Sequence, residues 1–242
     1  LYSSAASDVY KRQYLVTLMK NKKFISTANN VINLEIKALQ NLKKNLNKSF
    51  CDAVIKISKC QSKVILCGVG KSGLIASKIA ATLASVGTPS FSISASEASH
   101  GDLGMITKDD VVLMISNSGE THELLQIIPA LKKKKIPTIG MFGKENSTLF
   151  NSVDHPLDTS VEKEACPLDL APTASTTATL AMGDALAVAL LENRGFDAQD
   201  FAGTCRGKIN APIWCKHPGC HVLAVSSILA TLVVTAPRGR EA

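Results

Sequence analysis

The chain has 242 residues, of which 45% are hydrophobic and 19% charged, which is enough for one α/β domain with a full core. Its net charge of +7 lies at the ends: residues 1–50 carry +7, residues 51–202 carry −4 and residues 203–242 carry +4. Nucleic-acid binding needs a basic, aromatic surface on the folded domain, so charge and composition, with only 5% aromatic residues, argue against that class.

The first predicted elements are helical. Residues 1–13 are rich in serine and alanine, and we predict a non-native leader that is neither a helix nor a signal peptide. From Tyr14 to Lys59, apolar residues recur every three or four positions among lysines and asparagines. This spacing predicts one or two amphipathic helices that cover the domain or a partner subunit.

The hydrophobic pattern changes at Val64, where an uninterrupted apolar run ends in glycine. Such a run is typical of a strand buried on both faces of a parallel sheet. The elements predicted after it are a helix over 71–85, strands over 90–94 and 111–116, a helix over 122–134, strands over 137–142 and 155–158, and a helix over 175–192. This alternation predicts an α/β fold, a doubly wound three-layer sandwich around a five-stranded, mostly parallel sheet.

Ligands of such sheets bind at the carboxyl ends of the strands, where a glycine loop follows the first strand. Gly68, Gly70 and Gly73 satisfy the dinucleotide fingerprint, but the nearest acidic residue after the second strand, Glu97, lies beyond the strand end. Ile65 replaces the first glycine of a P-loop. The loop therefore favours a smaller anion bound by backbone N–H groups and a lysine, with a purely structural turn as the alternative.

A serine-rich loop, Ser116–Thr121, lies between the third predicted strand and a helix, and a hydroxyl-rich turn, Pro172–Thr177, opens the last helix. Hydroxyls and free N–H groups at a helix start can hydrogen-bond several phosphate oxygens. The alternative for the first loop is an ordinary capping box. Three such loops at helix starts together favour a phosphate ligand.

Four separated motifs closely resemble the sugar isomerase (SIS) domain of bacterial arabinose-5-phosphate isomerases, and the likeness runs from about Val64 to Ala202. The motifs are Gly70-Lys-Ser-Gly73, Glu97-Ala-Ser-His-Gly-Asp-Leu-Gly104, Ser116-Asn-Ser-Gly-Glu120 and Lys163-Glu-Ala-Cys-Pro167, followed by Ala171-Pro-Thr173. The resemblance implies interconversion of D-arabinose 5-phosphate and D-ribulose 5-phosphate through an enediol, in synthesis of the lipopolysaccharide acid Kdo. It also implies a cytoplasmic homotetramer that requires no metal or other cofactor. Seven cysteines in no disulfide-like rhythm agree with a reducing compartment.

The same resemblance implies the catalytic residues, which are Lys71, His100, Glu120 and Glu164. Either glutamate is a candidate for the base that moves the proton between C1 and C2, with Lys71 stabilising the oxyanion and His100 handling hydroxyl or ring-opening protons. A solvated surface charge is the alternative for each glutamate, and a capping or core role is the alternative for His100.

Substrate contacts are predicted on the three loops and on one further turn, over residues 87 and 88, that we expect to close over the sugar. The predicted substrate-binding residues are Gly70, Ser72, Gly87, Thr88, Ser116, Asn117, Ser118, Thr121 and Thr173, with Ser175, Thr176 and Thr177 as weaker candidates. His122 and His155 match no functional motif and are predicted to be loop or surface residues.

The likeness stops after Ala202, where the family continues with Ser-His-Pro-Gly-Gly and this chain reads Gly203–Gly207 instead. We therefore assign residues 14–202 to the SIS domain and predict a divergent, poorly ordered tail over 203–242, without the paired regulatory CBS module of full-length relatives. Cys215 and Cys220 with two nearby histidines lack the usual zinc spacing. The 13-residue apolar run over 222–234 is shorter than the roughly 20 residues of a bilayer span.

Two other functions remain open. A non-catalytic phosphosugar sensor of the same fold predicts a DNA-binding helical module before the sheet. A nucleotide-dependent oxidoreductase built on the glycine loop is weakened by the missing ribose-binding acid.

Overall fold

The computed structural model describes residues 4–98 and 101–195, with side chains from residue 21 onward. Helix α1 spans Ser4–Asn45 and helix α2 spans Lys48–Ser58, which confirms the predicted helical region. The expectation that the leader is not helical is wrong, because α1 begins at Ser4. Residues 4–13 contain alanine, lysine, arginine and glutamine, which favour helix, and no glycine or proline that would stop it.

The two helices are joined by a short capped turn. Asn47 is the N-cap of α2, and its side chain accepts a hydrogen bond from the Ser49 N–H at 2.8 Å. Ala53 and Ile57 of α2 are buried in the core, as the amphipathic pattern predicts. On α1, Ala38 and Leu42 are buried, whereas large apolar side chains nearer its start are exposed.

The sheet has five strands, all parallel, in the order β2-β1-β3-β4-β5. The strands are β1 Val64–Gly68, β2 Ser90–Ser94, β3 Val111–Ser116, β4 Thr138–Phe142 and β5 His155–Asp158. Each lies within a residue of its predicted range. Every residue of β1, β3 and β4 is buried, as expected of central strands that are covered on both faces.

Helices cover both faces of the sheet and complete three layers. The remaining helices are α3 Lys71–Ser85, α4 Ala95–Ala98, α5 His122–Lys133 and α6 Ala174–Arg194, with a short 3-10 helix over Asp102–Met105. One core unites α2, α3 and α6 with Val64 and Leu66 of β1, and the other unites α4 and α5 with Ile65 and Cys67. The doubly wound three-layer fold is therefore confirmed.

Helix α6 is the central helix of the first core. It is the one helix of the described part that is long and apolar enough to cross a membrane, and half of its most apolar 18-residue stretch is buried in the domain. Leu186 and Leu190 are fully buried in this core. Gly195 ends the helix in the left-handed conformation, with φ of 64°.

The topology positions a ligand site. From β1 the chain passes to β2 on one side and returns to β3 on the other side of β1. The loops after β1 and β3 therefore diverge and leave a crevice at their carboxyl ends. The predicted glycine and serine loops occupy these two positions.

Candidate functional site

The glycine turn brings backbone close to the crevice. Gly70 has φ of 58°, a conformation that L side chains rarely adopt. A Cβ at Gly68 would lie 2.8 Å from the backbone carbon and oxygen of Ser72, so the strand end and the helix start touch. Helix α3 then begins at Lys71 with no side-chain cap and no acidic residue in its first turn. Its N–H groups and the lysine make this helix start attractive to an anion.

The serine loop uses most of its hydroxyls internally. Ser116 is buried, and its Oγ accepts a hydrogen bond from the Gly119 N–H at 3.0 Å and shares one with Thr121 Oγ1 at 2.7 Å. Ser118 Oγ accepts from the Glu120 N–H at 3.2 Å. These hydroxyls shape the loop, and Asn117 is the loop residue that reaches the crevice.

A cavity of about 40 Å³ lies in the crevice between α3, the end of β3 and the start of α6. This volume fits a group about the size of a water molecule. Its polar lining consists of Lys71, Ser72, Asn117, Ser175 and Thr176. Ser175 is 3% exposed, and its Oγ lies near the Glu164 carboxylate without forming a well-aligned hydrogen bond. A buried hydroxyl without a partner is costly, so it marks a position where a ligand could supply the missing bond.

Glu164 lies behind this cavity and caps α6. Its Oε2 accepts hydrogen bonds from Thr173 N at 2.8 Å, Thr173 Oγ1 at 3.0 Å and Ser175 N at 3.3 Å. Burial disfavours the charged form, but these donors and the nearby Ser175 hydroxyl outweigh it and hold the pKa of Glu164 below its usual range. Its Oε1 is buried and has no partner in the part of the chain that the structure describes.

The loop that carries Glu164 is held by its own polar contacts. The Glu164 N–H donates to Asp169 Oδ1 at 2.8 Å, and the Ala165 N–H donates to Thr173 Oγ1 at 2.9 Å. Asp169 has φ of 54°, a conformation that aspartate tolerates better than most residues. The loop therefore fixes the carboxylate at the start of α6.

Glu120 is placed differently. It is exposed and does not line the cavity, and its Oε1 accepts a hydrogen bond from the Thr148 N–H at 2.7 Å. This backbone donor, followed by the Thr148 hydroxyl and the charge of Lys144, lowers the pKa of Glu120. Both candidate glutamates are thus ionised at neutral pH, but only Glu164 adjoins the cavity.

The structure brings together part of the predicted site. Lys71, Ser72 and Asn117 share the cavity, with Gly70 and Thr173 beside them. Ser175 and Thr176, ranked as weaker candidates, line it as well. Reasoning from motifs missed the walls formed by Ile75, Ile115, Pro172 and Thr179, although Ile75 lies one helical turn after Lys71 and Ile115 ends the β3 apolar run.

Gly87 and Thr88 require a correction. They precede β2 and so lie at the amino edge of the sheet, opposite the cavity, where Arg194 Nη1 donates to the Gly87 carbonyl at 2.5 Å. Residues before a parallel strand cannot meet residues that follow its neighbours, so within one chain this turn does not close over the cavity. Thr88 is 1% exposed.

The structure describes some of the histidines named from the sequence, and its side chains can be searched for a metal site. His100 and the tail over 203–242, with its proposed cysteine–histidine group and apolar run, lie outside the described residues. His122 is exposed at the start of α5 and His155 is half-buried in β5. Within residues 4–98 and 101–195, no group of three or more His, Cys, Asp or Glu side chains is placed to hold a metal ion.

Glu97 lies in α4, beyond the end of β2, and is exposed. This agrees with the prediction that no acid closes β2. The glycine loop therefore lacks the ribose-binding partner that the dinucleotide interpretation requires.

A family model and known proteins that are similar to this chain point to one family. Residues 56–189 match the SIS domain family. Arabinose 5-phosphate isomerase KdsD of Pseudomonas aeruginosa is 50% identical over 187 residues, which are 77% of this chain and 57% of that protein. KdsD of Yersinia pestis is 53% identical over 179 residues, covering 74% of this chain and 55% of that protein. The chain thus spans about half the length of the curated relatives it matches.

Among solved structures, a protein of E. coli CFT073 in complex with A5P is 44% identical, with a TM-score of 0.72. The match covers 75% of this chain and 97% of that one. Both the sequence and the fold are therefore those of the matched family.

Proposed function

This chain belongs to the SIS domain family, and we propose that it is an aldose–ketose isomerase that interconverts D-arabinose 5-phosphate and D-ribulose 5-phosphate. The observation that carries the proposal is the cavity at the carboxyl ends of β1 and β3, whose lining includes Lys71 and the buried Ser175 hydroxyl. The names of relatives about 50% identical, and the A5P in the E. coli complex, support this choice of substrate.

The phosphate would bind over the start of α3. Free N–H groups of the first turn and the hydroxyls of Ser72 and Ser175 supply donors to its oxygens. Nothing lies within 4 Å of the position a Cβ would take at Gly70. The rest of the sugar would lie outside this cavity, which itself holds only a small group.

Glu164 is the better of the two candidates for the base. It is ionised, its Oε1 is unpaired, and it adjoins the cavity through Ser175. Substrate binding would have to expose Glu164 Oε1, which is buried in the free structure. Oε1 would then take the proton from C2 of the aldose, the C–H electrons would form the enediolate, and the same carboxyl, after its proton exchanges with water, would protonate C1. Lys71 would stabilise the charge that develops on O1, and the O2–H proton would pass to O1 as the ketone forms.

Replacing the carboxylate tests this role. In Glu164→Gln the amide oxygen can still accept the Thr173 bonds, so we expect kcat to fall by about 10²-fold or more with KM changed by less than about threefold. The matched control is Glu162→Gln, because Glu162 is an exposed carboxylate paired with Lys37 on the surface. A Glu164→Gln enzyme with the turnover of the control would exclude Glu164 as the base.

We extend the proposal to the cell and the assembly. The protein would act in the cytoplasm as a homo-oligomer, a tetramer by resemblance, and its product would feed Kdo synthesis. Exposed apolar side chains on α1, including Phe24, Ile25 and Ile32, support a subunit contact. Sedimentation-velocity ultracentrifugation of the purified chain measures the assembly directly, and a monomer at micromolar concentration would contradict it.

The sensor alternative is not proposed. It predicts a compact helical DNA-binding module before the sheet, whereas the described residues before β1 form the 42-residue helix α1 and the short helix α2. Helix α1 instead packs along α6 of the domain.

A further inference from the structure

The serine loop is held from outside by residues 143–149, which we call the bracing turn. Three hydrogen bonds join the two segments: Gly143 N to Asn117 O at 3.1 Å, Leu149 N to Gly119 O at 3.0 Å, and Thr148 N to Glu120 Oε1 at 2.7 Å. The first two use backbone carbonyls. The third is the shortest, and it alone depends on a side chain of the serine loop.

The packing between the two segments leaves almost no free space. A Cβ at Gly119 would lie 1.9 Å from Ser147 Oγ, and a Cβ at Gly143 would lie 2.1 Å from Asn117 Oδ1. Ser147 is 4% exposed and Leu149 is fully buried. The position of the Asn117 side chain, which lines the cavity, therefore depends on how closely the bracing turn approaches.

The Glu120 carboxylate is suited to hold this contact. A hydrogen bond from an N–H to an ionised oxygen is shorter and about twice as strong as a neutral one. The Thr148 donor and the Lys144 charge keep the carboxylate ionised. Its Oε1 is occupied on the side of the bracing turn, and the residue is absent from the lining of the cavity.

We infer that Glu120 is a positioning residue that clasps the Thr148 N–H and so sets the Asn117 side chain in the substrate cavity. This inference rests on the proposed isomerase function for its kinetic consequences, and on the geometry alone for its structural ones. It assigns the two glutamates different tasks: Glu164 exchanges the proton, whereas Glu120 acts on the substrate only through the loop.

The test compares two substitutions at Glu120 and two at its partner. In Glu120→Gln the side-chain oxygen still accepts from Thr148, so kcat and KM should each stay within about threefold of the wild type. Glu120→Ala removes the clasp and should raise KM by about tenfold, with a smaller fall in kcat. Thr148→Pro, which removes the N–H, should raise KM as Glu120→Ala does, while Thr148→Ser keeps both the N–H and the hydroxyl and should behave as the wild type.

A readout without substrate separates this inference from the proposed function. Exchange of the Thr148 amide proton should accelerate about tenfold in Glu120→Ala and stay near the wild-type rate in Glu120→Gln. If the wild type neither binds nor converts D-arabinose 5-phosphate, the isomerase proposal fails and the exchange result still decides the clasp. Unchanged exchange in Glu120→Ala overturns the clasp. A fall of 10²-fold or more in kcat at unchanged KM in Glu120→Gln overturns the positioning role, because a base and not a clasp would then be lost. If Thr148→Pro does not fold, the Glu120 pair decides alone.

Discussion

The carboxylate of Asp110, at the amino edge of β3, should contribute measurably to stability. Asp110 is 1% exposed, and its Oδ2 accepts from Thr107 N at 2.7 Å and Thr107 Oγ1 at 3.0 Å. Lys63 Nζ lies 3.1 Å from Oδ1. The group thus ties the start of β3 to the start of β1. We expect Asp110→Asn to lose this charge while keeping nearly the same shape.

The size of the effect follows from the pKa. Burial opposes ionisation of Asp110, but the Thr107 N–H, the Ser62 hydroxyl and Lys63 outweigh it and lower the pKa from 3.8 to about 2. That difference corresponds to about 2 kcal/mol of folding free energy at pH 7. Because the folded pKa is the lower one, the contribution is fully present above about pH 4 and is lost as pH falls from about 4 to 2.

Urea denaturation followed by circular dichroism measures this contribution. At pH 7, Asp110→Asn should lower the free energy of unfolding by about 2 kcal/mol and the Tm by about 4–8 °C. The control is Asp109→Asn, because its neighbour Asp109 is exposed and should change the free energy by less than about 0.5 kcal/mol. The difference between wild type and Asp110→Asn should shrink below pH 4. Equal losses in the two variants, or a difference that persists unchanged at pH 2.5, would refute the reasoning.

Further predictions concern the serine loop and the cysteines. In Gly119→Ala the backbone keeps φ of 65° and the new Cβ lies 1.9 Å from Ser147 Oγ, so the free energy of unfolding should fall by roughly 2–4 kcal/mol. A Cβ at Gly104 would have open space around it, so Gly104→Ala should lower the free energy of unfolding by less than about 0.5 kcal/mol in the same urea titration. Burial raises the pKa of Cys67 to about 12, while the backbone N–H groups of residues 171, 170 and 168 lower the pKa of Cys166. Iodoacetamide at pH 8 should therefore label Cys166 and leave Cys67 unmodified in peptide mass spectra; equal labelling would contradict the buried strand.

The long elements were predictable because each has a strong hydrophobic period. The continuous apolar run at Val64 and the glycine stop at Gly195 are local signals that tertiary contacts reinforce. Helix α4 and the 3-10 helix were missed because four residues carry no period. The helical leader was missed since its helix formers lack an apolar stripe, and propensity without a stripe is a weak signal.

The site was predictable in its loops but not in its contacts. Motif reasoning located Lys71, Ser72 and Asn117 because loops that follow neighbouring parallel strands lie at the same edge of the sheet. Which donors each glutamate meets depends on segments far away in sequence, since Glu120 pairs with Thr148, 28 residues later. Sequence spacing carries no information about such a pair.

The turn over Gly87 and Thr88 shows a second limit. We expected this turn to close over the sugar, but the sheet direction places it at the opposite edge from Lys71 in the same chain. The three-dimensional arrangement is needed to decide which predicted residues of one chain can contact the same ligand.

The most direct test of the account is to incubate the purified chain with D-arabinose 5-phosphate in deuterated water and to follow the sugar by proton and phosphorus NMR. The account predicts that D-ribulose 5-phosphate forms with solvent deuterium exchanged at the transferred position, and that Lys71→Met and Ser175→Ala weaken the reaction while Glu162→Gln does not. Absence of product and of exchange in the wild type, with the phosphorus signal unshifted by the protein, would contradict a phosphosugar isomerase site at the ends of β1 and β3.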